Sequence, residues 1–187
     1  MDSVTNYDDI RFPQTNVSLN VAGIQNDSIT DGPGLRFVLY VQGCPHHCVG
    51  CHNPQTHPFE GGKKIMIDQI VQRVRMNPLL SGITFSGGEP FCQATPLGIL
   101  AEMLRSFGYE IAVYTGFVFE ELIDRKNPNV MELLQQTDIL VDGPFVHSLR
   151  DRMLLFRGSR NQRILDVHKS LATGCAVPTT NLAWNPS

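Results

Sequence analysis

The sequence contains no apolar run long enough to cross a bilayer and no secretory signal at its N-terminus. Long runs of basic residues are also missing, and 15 Lys and Arg against 18 Asp and Glu give a net charge of −3. These absences argue against a membrane protein and against direct binding to nucleic acid. We therefore expect a cytoplasmic protein.

Cysteine is scarce, with five residues in 187. In a reducing compartment so few cysteines do not predict a disulfide framework. Cys92 and Cys175 are isolated in the sequence, and we interpret them as incidental side chains. Without these two, no second set of four cysteines remains, which excludes a ferredoxin with two clusters.

The other three cysteines, Cys44, Cys48 and Cys51, form a C-x3-C-x2-C run with no fourth cysteine nearby. A closed metal site normally needs four ligands, so this run predicts a centre with one open position. A Cys3His zinc site is an alternative, because four histidines lie close by: His46, His47, His52 and His57. However, three ligands within eight residues cross-link little of the chain. Such a loop is better suited to hold one side of an iron–sulfur cluster.

Segments typical of strands alternate with amphipathic segments along the chain, which indicates βα units and a parallel sheet. We predict strands near residues 17–21, 36–42, 82–85, 110–114, 138–142 and 163–167. Helices are predicted near 67–74, 97–104, 120–124 and 130–135, the second of them capped by Thr95. A complete eight-unit barrel needs about 250 residues. We therefore expect an α/β fold that is a partial, open parallel β/α barrel.

The domain organisation follows from the same pattern. Residues 1–16 are expected to be a flexible leader, 17–172 a single domain, and 173–187 an irregular tail. Within the domain, four loops follow predicted strands: the cysteine loop, Ser86 to Pro90, Thr115-Gly116 and Asp142-Gly143. Ligands gather at the carboxyl ends of parallel strands, so these loops predict one common site.

The cysteine run, followed at a distance by Gly87-Gly88-Glu89-Pro90, resembles the radical S-adenosylmethionine superfamily. The resemblance implies that the three cysteines hold three irons of a [4Fe–4S] cluster. It also implies that S-adenosylmethionine chelates the fourth iron and that Gly-Gly-Glu-Pro contacts its amino group. The sequence departs from the superfamily at Gly50, where an aromatic residue often precedes the third cysteine.

Further segments are similar to activases of glycyl-radical enzymes, above all those of anaerobic ribonucleotide reductase: Ser28 to Arg36, Gly43 to Cys48, Tyr114 to Gly116, Val141 to Phe145 and Phe156 to Arg163. This resemblance implies reductive cleavage of S-adenosylmethionine to a 5′-deoxyadenosyl radical, which removes hydrogen from a glycine of the reductase. The implied partners are the glycyl-radical subunit of anaerobic ribonucleotide reductase and a flavodoxin-like or other low-potential electron donor. Alternatives are an activase of another glycyl-radical enzyme, a radical enzyme with a small-molecule substrate, and a zinc-binding interaction module.

The resemblance also implies which residues form the site. Cys44, Cys48 and Cys51 are expected to be the metal ligands on which catalysis depends. Contacts to S-adenosylmethionine are expected from Gly50, Cys51, His52, Gly87, Gly88, Glu89, Pro90, Thr115 and Asp142. Arg36 and Arg157 are expected either to meet carboxylates of cofactor or partner, or to be solvated surface charges.

Overall fold

A seven-stranded sheet organises the chain, whose structure, a computed structural model, describes residues 15–185. The predicted leader lies outside the described residues except for its last two positions. The strands are β1 (Ser18–Ser28), β2 (Arg36–Val41), β3 (Lys63–Met66), β4 (Gly82–Gly87), β5 (Glu110–Tyr114), β6 (Ile139–Asp142) and β7 (Arg163–Asp166). The helices are α1 (Ile67–Arg75), α2 (Ala94–Ser106), α3 (Phe119–Asp124), α4 (Pro128–Gln135) and α5 (Val167–Thr173).

The strand order is β3-β1-β2-β4-β5-β6-β7. Strands β2, β4, β5 and β6 are parallel, which places the loops that follow them along one edge of the sheet. By contrast, β1 is antiparallel to both β2 and β3, and β7 is antiparallel to β6. The prediction of a parallel sheet in an α/β fold is therefore confirmed for the four central strands but is wrong for the flanking strands, and the chain has a mixed α/β sheet.

Alternating side chains divide the sheet into two faces. Phe85 and Val113 point to one face and pack with buried residues of α1, α2 and α4 in the larger core. Ala112 and Val141 point to the other face and form a smaller cluster with the fully buried Trp184. The candidate functional site lies on this second face, where the Tyr114 side chain, at the end of β5, packs against the smaller cluster.

Three local predictions need correction or addition. Helix α2 begins at Ala94, one residue before Thr95, so Thr95 is not its N-cap. Strand β3 was not predicted, because it has only four residues and two of them are exposed. It forms by pairing with β1. Helix α5 was not predicted either; Asp166 caps it by accepting a hydrogen bond from the backbone N–H of Lys169.

The segment after α5 contains no helix or strand over its described residues, but it is anchored to the sheet. Pro178 forms an isolated bridge with Leu165, and the Trp184 side chain is 0% exposed. The Trp184 indole donates a hydrogen bond to Glu110 at 3.0 Å and lies 5.1 Å from the Arg36 guanidinium. No helix within residues 15–185 is long and apolar enough to cross a membrane.

Candidate radical cofactor site

The cysteine loop follows β2 and is fixed by its backbone. Gly43 and Cys44 donate backbone hydrogen bonds to the carbonyls of Thr56 and His57, at 2.8 and 3.0 Å. Cys44 is buried, whereas Cys48 and Cys51 are partly exposed. All three line one cavity of about 110 Å³, here called the small cavity. Burial raises the pKa of the Cys44 thiol, so metal binding there must displace a proton.

The arrangement of the thiols suits a cluster better than a single ion. Within the described residues, no three Cys, His, Asp or Glu side chains converge on a point that could hold one metal ion. A [4Fe–4S] cluster does not require such convergence, because each thiolate binds a different iron. Three thiols spread around one cavity therefore fit a cluster.

Gly87 and Gly88 line the small cavity and pack against the backbone of β2 and the cysteine loop. A Cβ atom on Gly87 would lie 2.7 Å from the Cα of Tyr40, and one on Gly88 would collide with the carbonyl oxygen of Gly43. Gly88 and Glu89 donate backbone hydrogen bonds to Val41 and Gly43, both at 2.8 Å. These glycines are needed because this loop lies directly on the cysteine loop.

Glu89 is fully buried, and its carboxylate joins three loops of the site. It accepts hydrogen bonds from the Thr115 hydroxyl at 2.9 Å, the Gly116 backbone at 2.9 Å and the Phe91 backbone at 3.0 Å. The Nε2 atom of His46 lies 2.9 Å from Oε2, and because a carboxylate only accepts, this nitrogen carries a hydrogen. The Glu89 side chain is thus occupied by the protein itself.

Glu89, Pro90 and Asp142 were predicted to contact S-adenosylmethionine, and these contacts stay predictions. All three are buried, and none lines the small cavity or its larger neighbour. Asp142 accepts a hydrogen bond from the backbone of Phe119 at 2.8 Å and forms an ion pair with Arg163. Its carboxylate therefore joins β6, β7 and the start of α3.

A larger cavity of about 440 Å³, here called the large cavity, adjoins the small cavity. The two share five lining residues: Cys51, Ser86, Tyr114, Phe145 and Gln162. His52 lines the large cavity and Thr115 lines the small one, and their contacts with S-adenosylmethionine stay predictions. Arg157 also lines the large cavity, and its guanidinium donates a hydrogen bond to the Gln162 carbonyl. Arg36 is 1% exposed and pairs with Glu110 at 2.8 Å. Neither role predicted for Arg36, a contact with a carboxylate of cofactor or partner or a solvated surface charge, therefore holds.

At Gly50, where the superfamily often has an aromatic residue before the third cysteine, the His147 ring occupies the space that a side chain would need. The Gly50 φ of +72° is in the left-handed region, and an added Cβ would lie 2.6 Å from the His147 ring. Nearby, the His52 and Phe145 rings are 4.9 Å apart. The His147 ring, from the loop after β6, thus lies next to the position where the usual aromatic residue is absent.

Three residues that line both cavities, Tyr114, Phe145 and Gln162, lie within the motifs of the sequence but had no predicted role. Gln162 accepts hydrogen bonds from the backbones of Gly158 and Ser159 and donates to the Gly143 carbonyl at 3.1 Å. It therefore shapes the wall that both cavities share. Their positions in the sequence could have indicated a role at the site, because each lies at or near the end of a predicted strand. Tyr114 ends one strand, Phe145 follows another, and Gln162 precedes the last.

Comparison with known proteins identifies the family. The family described as "4Fe-4S single cluster domain" matches residues 30–165. The anaerobic ribonucleoside-triphosphate reductase-activating protein of Salmonella typhimurium is 37% identical over 72% of this chain and 90% of its own length. The protein of that name from Haemophilus influenzae is 32% identical over 73% and 90%, respectively. The chain belongs to this family of reductase-activating proteins.

Other relatives of the family lie further away. The pyruvate formate-lyase-activating enzyme of Clostridium pasteurianum is 31% identical over 65% of this chain and 50% of its own length. Among solved structures, the match to QueE from Escherichia coli covers 53% of this chain and 51% of QueE, with 18% identity and a TM-score of 0.38. Family membership confirms the predicted cofactors, a [4Fe–4S] cluster with S-adenosylmethionine, over a zinc ion.

Proposed function

We propose that the chain activates anaerobic ribonucleotide reductase by generating a glycyl radical on the reductase subunit that carries this glycine. The observation that carries the proposal is that the three cysteines line a small cavity that opens into a large one. A cluster held by the first leaves the second for S-adenosylmethionine and for a segment of another protein. The homology to reductase-activating proteins supports the same function.

We assign the cluster to Cys44, Cys48 and Cys51, which line the small cavity together with Gly87 and Gly88. S-adenosylmethionine then lies between the cluster and the large cavity, near His52 and Thr115. Glu89 and Pro90 lie behind the residues that line the cavities, where Glu89 holds Thr115 and the cysteine loop in place through hydrogen bonds. Gly50 provides room for the ring of His147. Asp142 holds the adjacent strands through Arg163.

When bound, the cluster would supply one electron to S-adenosylmethionine, whose C5′–S bond would break to give methionine and a 5′-deoxyadenosyl radical. That radical would take a hydrogen atom from the glycine and leave as 5′-deoxyadenosine. The protein's own residues orient the reactants and limit access of water. Cys44 is buried and the Phe145 and Phe156 side chains line the large cavity, so the reacting region is partly shielded from solvent. The fold we propose for this chemistry is a partial β/α barrel, with parallel strands β2, β4, β5 and β6 around the cavities.

The proposed partners are the glycyl-radical subunit of anaerobic ribonucleotide reductase and a low-potential electron donor such as a flavodoxin. A cytoplasmic location belongs to the same proposal, because all five cysteines are free and a low-potential cluster needs reducing conditions.

Anaerobic reconstitution tests the proposal. We expect about four irons and four sulfides per chain, and an electron paramagnetic resonance signal of the reduced cluster that changes when S-adenosylmethionine is added. Cys48→Ala should lose the S-adenosylmethionine-dependent signal and glycyl-radical formation on the reductase, whereas Cys92→Ala should retain both, because Cys92 lines neither cavity. A colourless protein containing one zinc ion would refute the proposal.

A further inference from the structure

A short arm, defined here as residues 149–160, borders the mouth of the large cavity. Its two sides are joined by an isolated bridge between Arg150 and Ser159 and by a backbone hydrogen bond of 2.9 Å from Arg160 to Leu149. Gly158 lines the large cavity together with three neighbours in the arm: Leu154, Phe156 and Arg157. The arm is therefore both a wall of the cavity and part of the outer surface.

The outer surface of the arm is apolar to an unusual degree. Met153 is 87% exposed and Leu155 is 54% exposed, and Leu149 is also exposed at the base of the arm. Val49, in the cysteine loop, is exposed as well and is next to Gly50, whose Cα faces the His147 ring at the base of the arm. Several exposed apolar side chains on one short segment that also borders a cavity indicate a contact surface. Methionine suits such a surface because its side chain is flexible and polarisable.

The arm is also basic, although the whole chain is acidic. Four arginines and one aspartate give residues 149–160 a net charge of +3, whereas the chain carries −3. Arg160 pairs with Asp151 at 3.0 Å, and Arg157 donates to a backbone carbonyl. Arg150 and Arg152 are exposed, and their side chains form no ion pair with any residue in the described part of the chain. These two guanidinium groups are free to meet carboxylates of a partner.

We propose that the arm is the docking surface for the reductase segment that carries the reactive glycine, and that this segment has acidic and apolar side chains. This inference rests on the proposed function, because only a protein substrate must be held at the cavity mouth while one residue enters. The exposed side chains of Met153 and Leu155 supply apolar area that is buried on binding. Arg150 and Arg152 attract the partner segment and fix its orientation. A small-molecule substrate would need neither.

A matched pair of substitutions tests the docking surface. Met153→Glu places a negative charge on the arm, and Met76→Glu makes the same change at a methionine that is 83% exposed at the end of α1. We measure the Kd of the reconstituted protein for the reductase subunit, and S-adenosylmethionine cleavage with dithionite in the absence of the reductase. Met153→Glu should weaken binding at least tenfold, Met76→Glu less than twofold, and both should cleave S-adenosylmethionine as the wild type does.

A second variant separates charge from packing. Arg150→Gln combined with Arg152→Gln should weaken binding and make it less dependent on salt concentration, because two charge contacts are lost. Wild-type affinity in both Met153→Glu and the double variant would overturn the docking proposal, while glycyl-radical formation by the wild type would leave the proposed function intact. A wild type that cleaves S-adenosylmethionine but forms no glycyl radical on the reductase would instead overturn the proposed function, and the docking proposal with it.

Discussion

The hydroxyl of Tyr114 is the one buried side-chain polar atom in residues 15–185 that has no hydrogen-bond partner. Its ring lies where the two cavities meet, and burial raises the pKa of the phenol above its usual range. The hydroxyl is therefore neutral and keeps its hydrogen. An unpartnered buried hydroxyl destabilises the folded protein, because it loses hydrogen bonds to water and gains none.

Tyr114→Phe should consequently stabilise the protein without cofactors. We expect the free energy of unfolding to rise by about 1 kcal/mol, because the substitution removes the unpaired group and keeps the ring. Urea unfolding of the cofactor-free protein under reducing conditions measures it. Tyr109→Phe is the control, since Tyr109 lines neither of these cavities, and should have a smaller effect. A lower stability for Tyr114→Phe would contradict this interpretation of the hydroxyl.

At this scale the sequence predicted residue types better than residue roles. Cys44, Cys48 and Cys51 and the two glycines were found because their spacing is distinctive, and the structure places them around one cavity. The hydrogen bonds that occupy the Glu89 carboxylate could not be predicted, because a carboxylate after two glycines gives no indication of which groups will donate to it. Its burial depends on donors from His46, Thr115 and Gly116, which are distant in sequence.

At the scale of elements, one carboxylate connects three of the loops that follow the parallel strands. The Glu89 carboxylate connects the loops after β2, β4 and β5, so the cysteine loop is held by contacts on its inner side. The His46 ring also packs edge-on against Phe117, with centroids 4.4 Å apart. These three loops therefore form one structural unit before any cofactor binds.

Glu89→Gln should disrupt that unit. The new amide group cannot accept at both positions, so a buried donor among Thr115, Gly116 and His46 loses its acceptor. We expect the free energy of unfolding of the cofactor-free protein to fall by about 3 kcal/mol, measured by urea unfolding. Glu121→Gln is a matched control, because Glu121 is exposed and accepts only from the Val118 backbone, at 3.1 Å. Equal stability of the two variants would show that the buried carboxylate is not needed.

Predicted strands and helices were found where apolar periodicity is strong. Strand β2 and helix α1 agree with the prediction within one residue at either end, because β2 is a run of residues buried on both faces of the sheet and α1 has one buried apolar face. Strand β3 and helix α5 were missed because their stability comes from neighbours: β3 pairs with β1, and α5 is capped by Asp166 after the sheet has formed. The direction of β1 and β7 has no local signature either.

On the scale of the whole molecule, Trp184 connects distant parts of the chain. It contacts Arg36 at the start of β2, bonds to Glu110 at the start of β5, and packs 5.4 Å from Phe156, which lines the large cavity. The sequence suggested only an irregular tail, since a single tryptophan in an aperiodic segment has no pattern that indicates its partners. Burial of its ring beside Arg36 could be recognised only from the fold.

Trp184→Ala should have a large effect on stability. Removal of a fully buried aromatic ring typically costs about 3–5 kcal/mol, and here it also leaves Glu110 and Arg36 with fewer contacts. Thermal and urea unfolding of the cofactor-free protein measure the loss. Leu182→Ala, in the same segment, removes a side chain that is 70% exposed and should change the free energy of unfolding by less than about 0.5 kcal/mol. A similarly small change for Trp184→Ala would refute the anchoring role.

Because Trp184 is the single tryptophan of the chain, every photon of indole emission comes from this one position. Its ring is shielded from water and lies against Phe156, whose side chain faces the large cavity. Intrinsic fluorescence therefore provides a label-free optical probe. Its spectrum should shift to longer wavelength when the segment detaches, and its intensity should fall when a coloured iron–sulfur chromophore is assembled nearby.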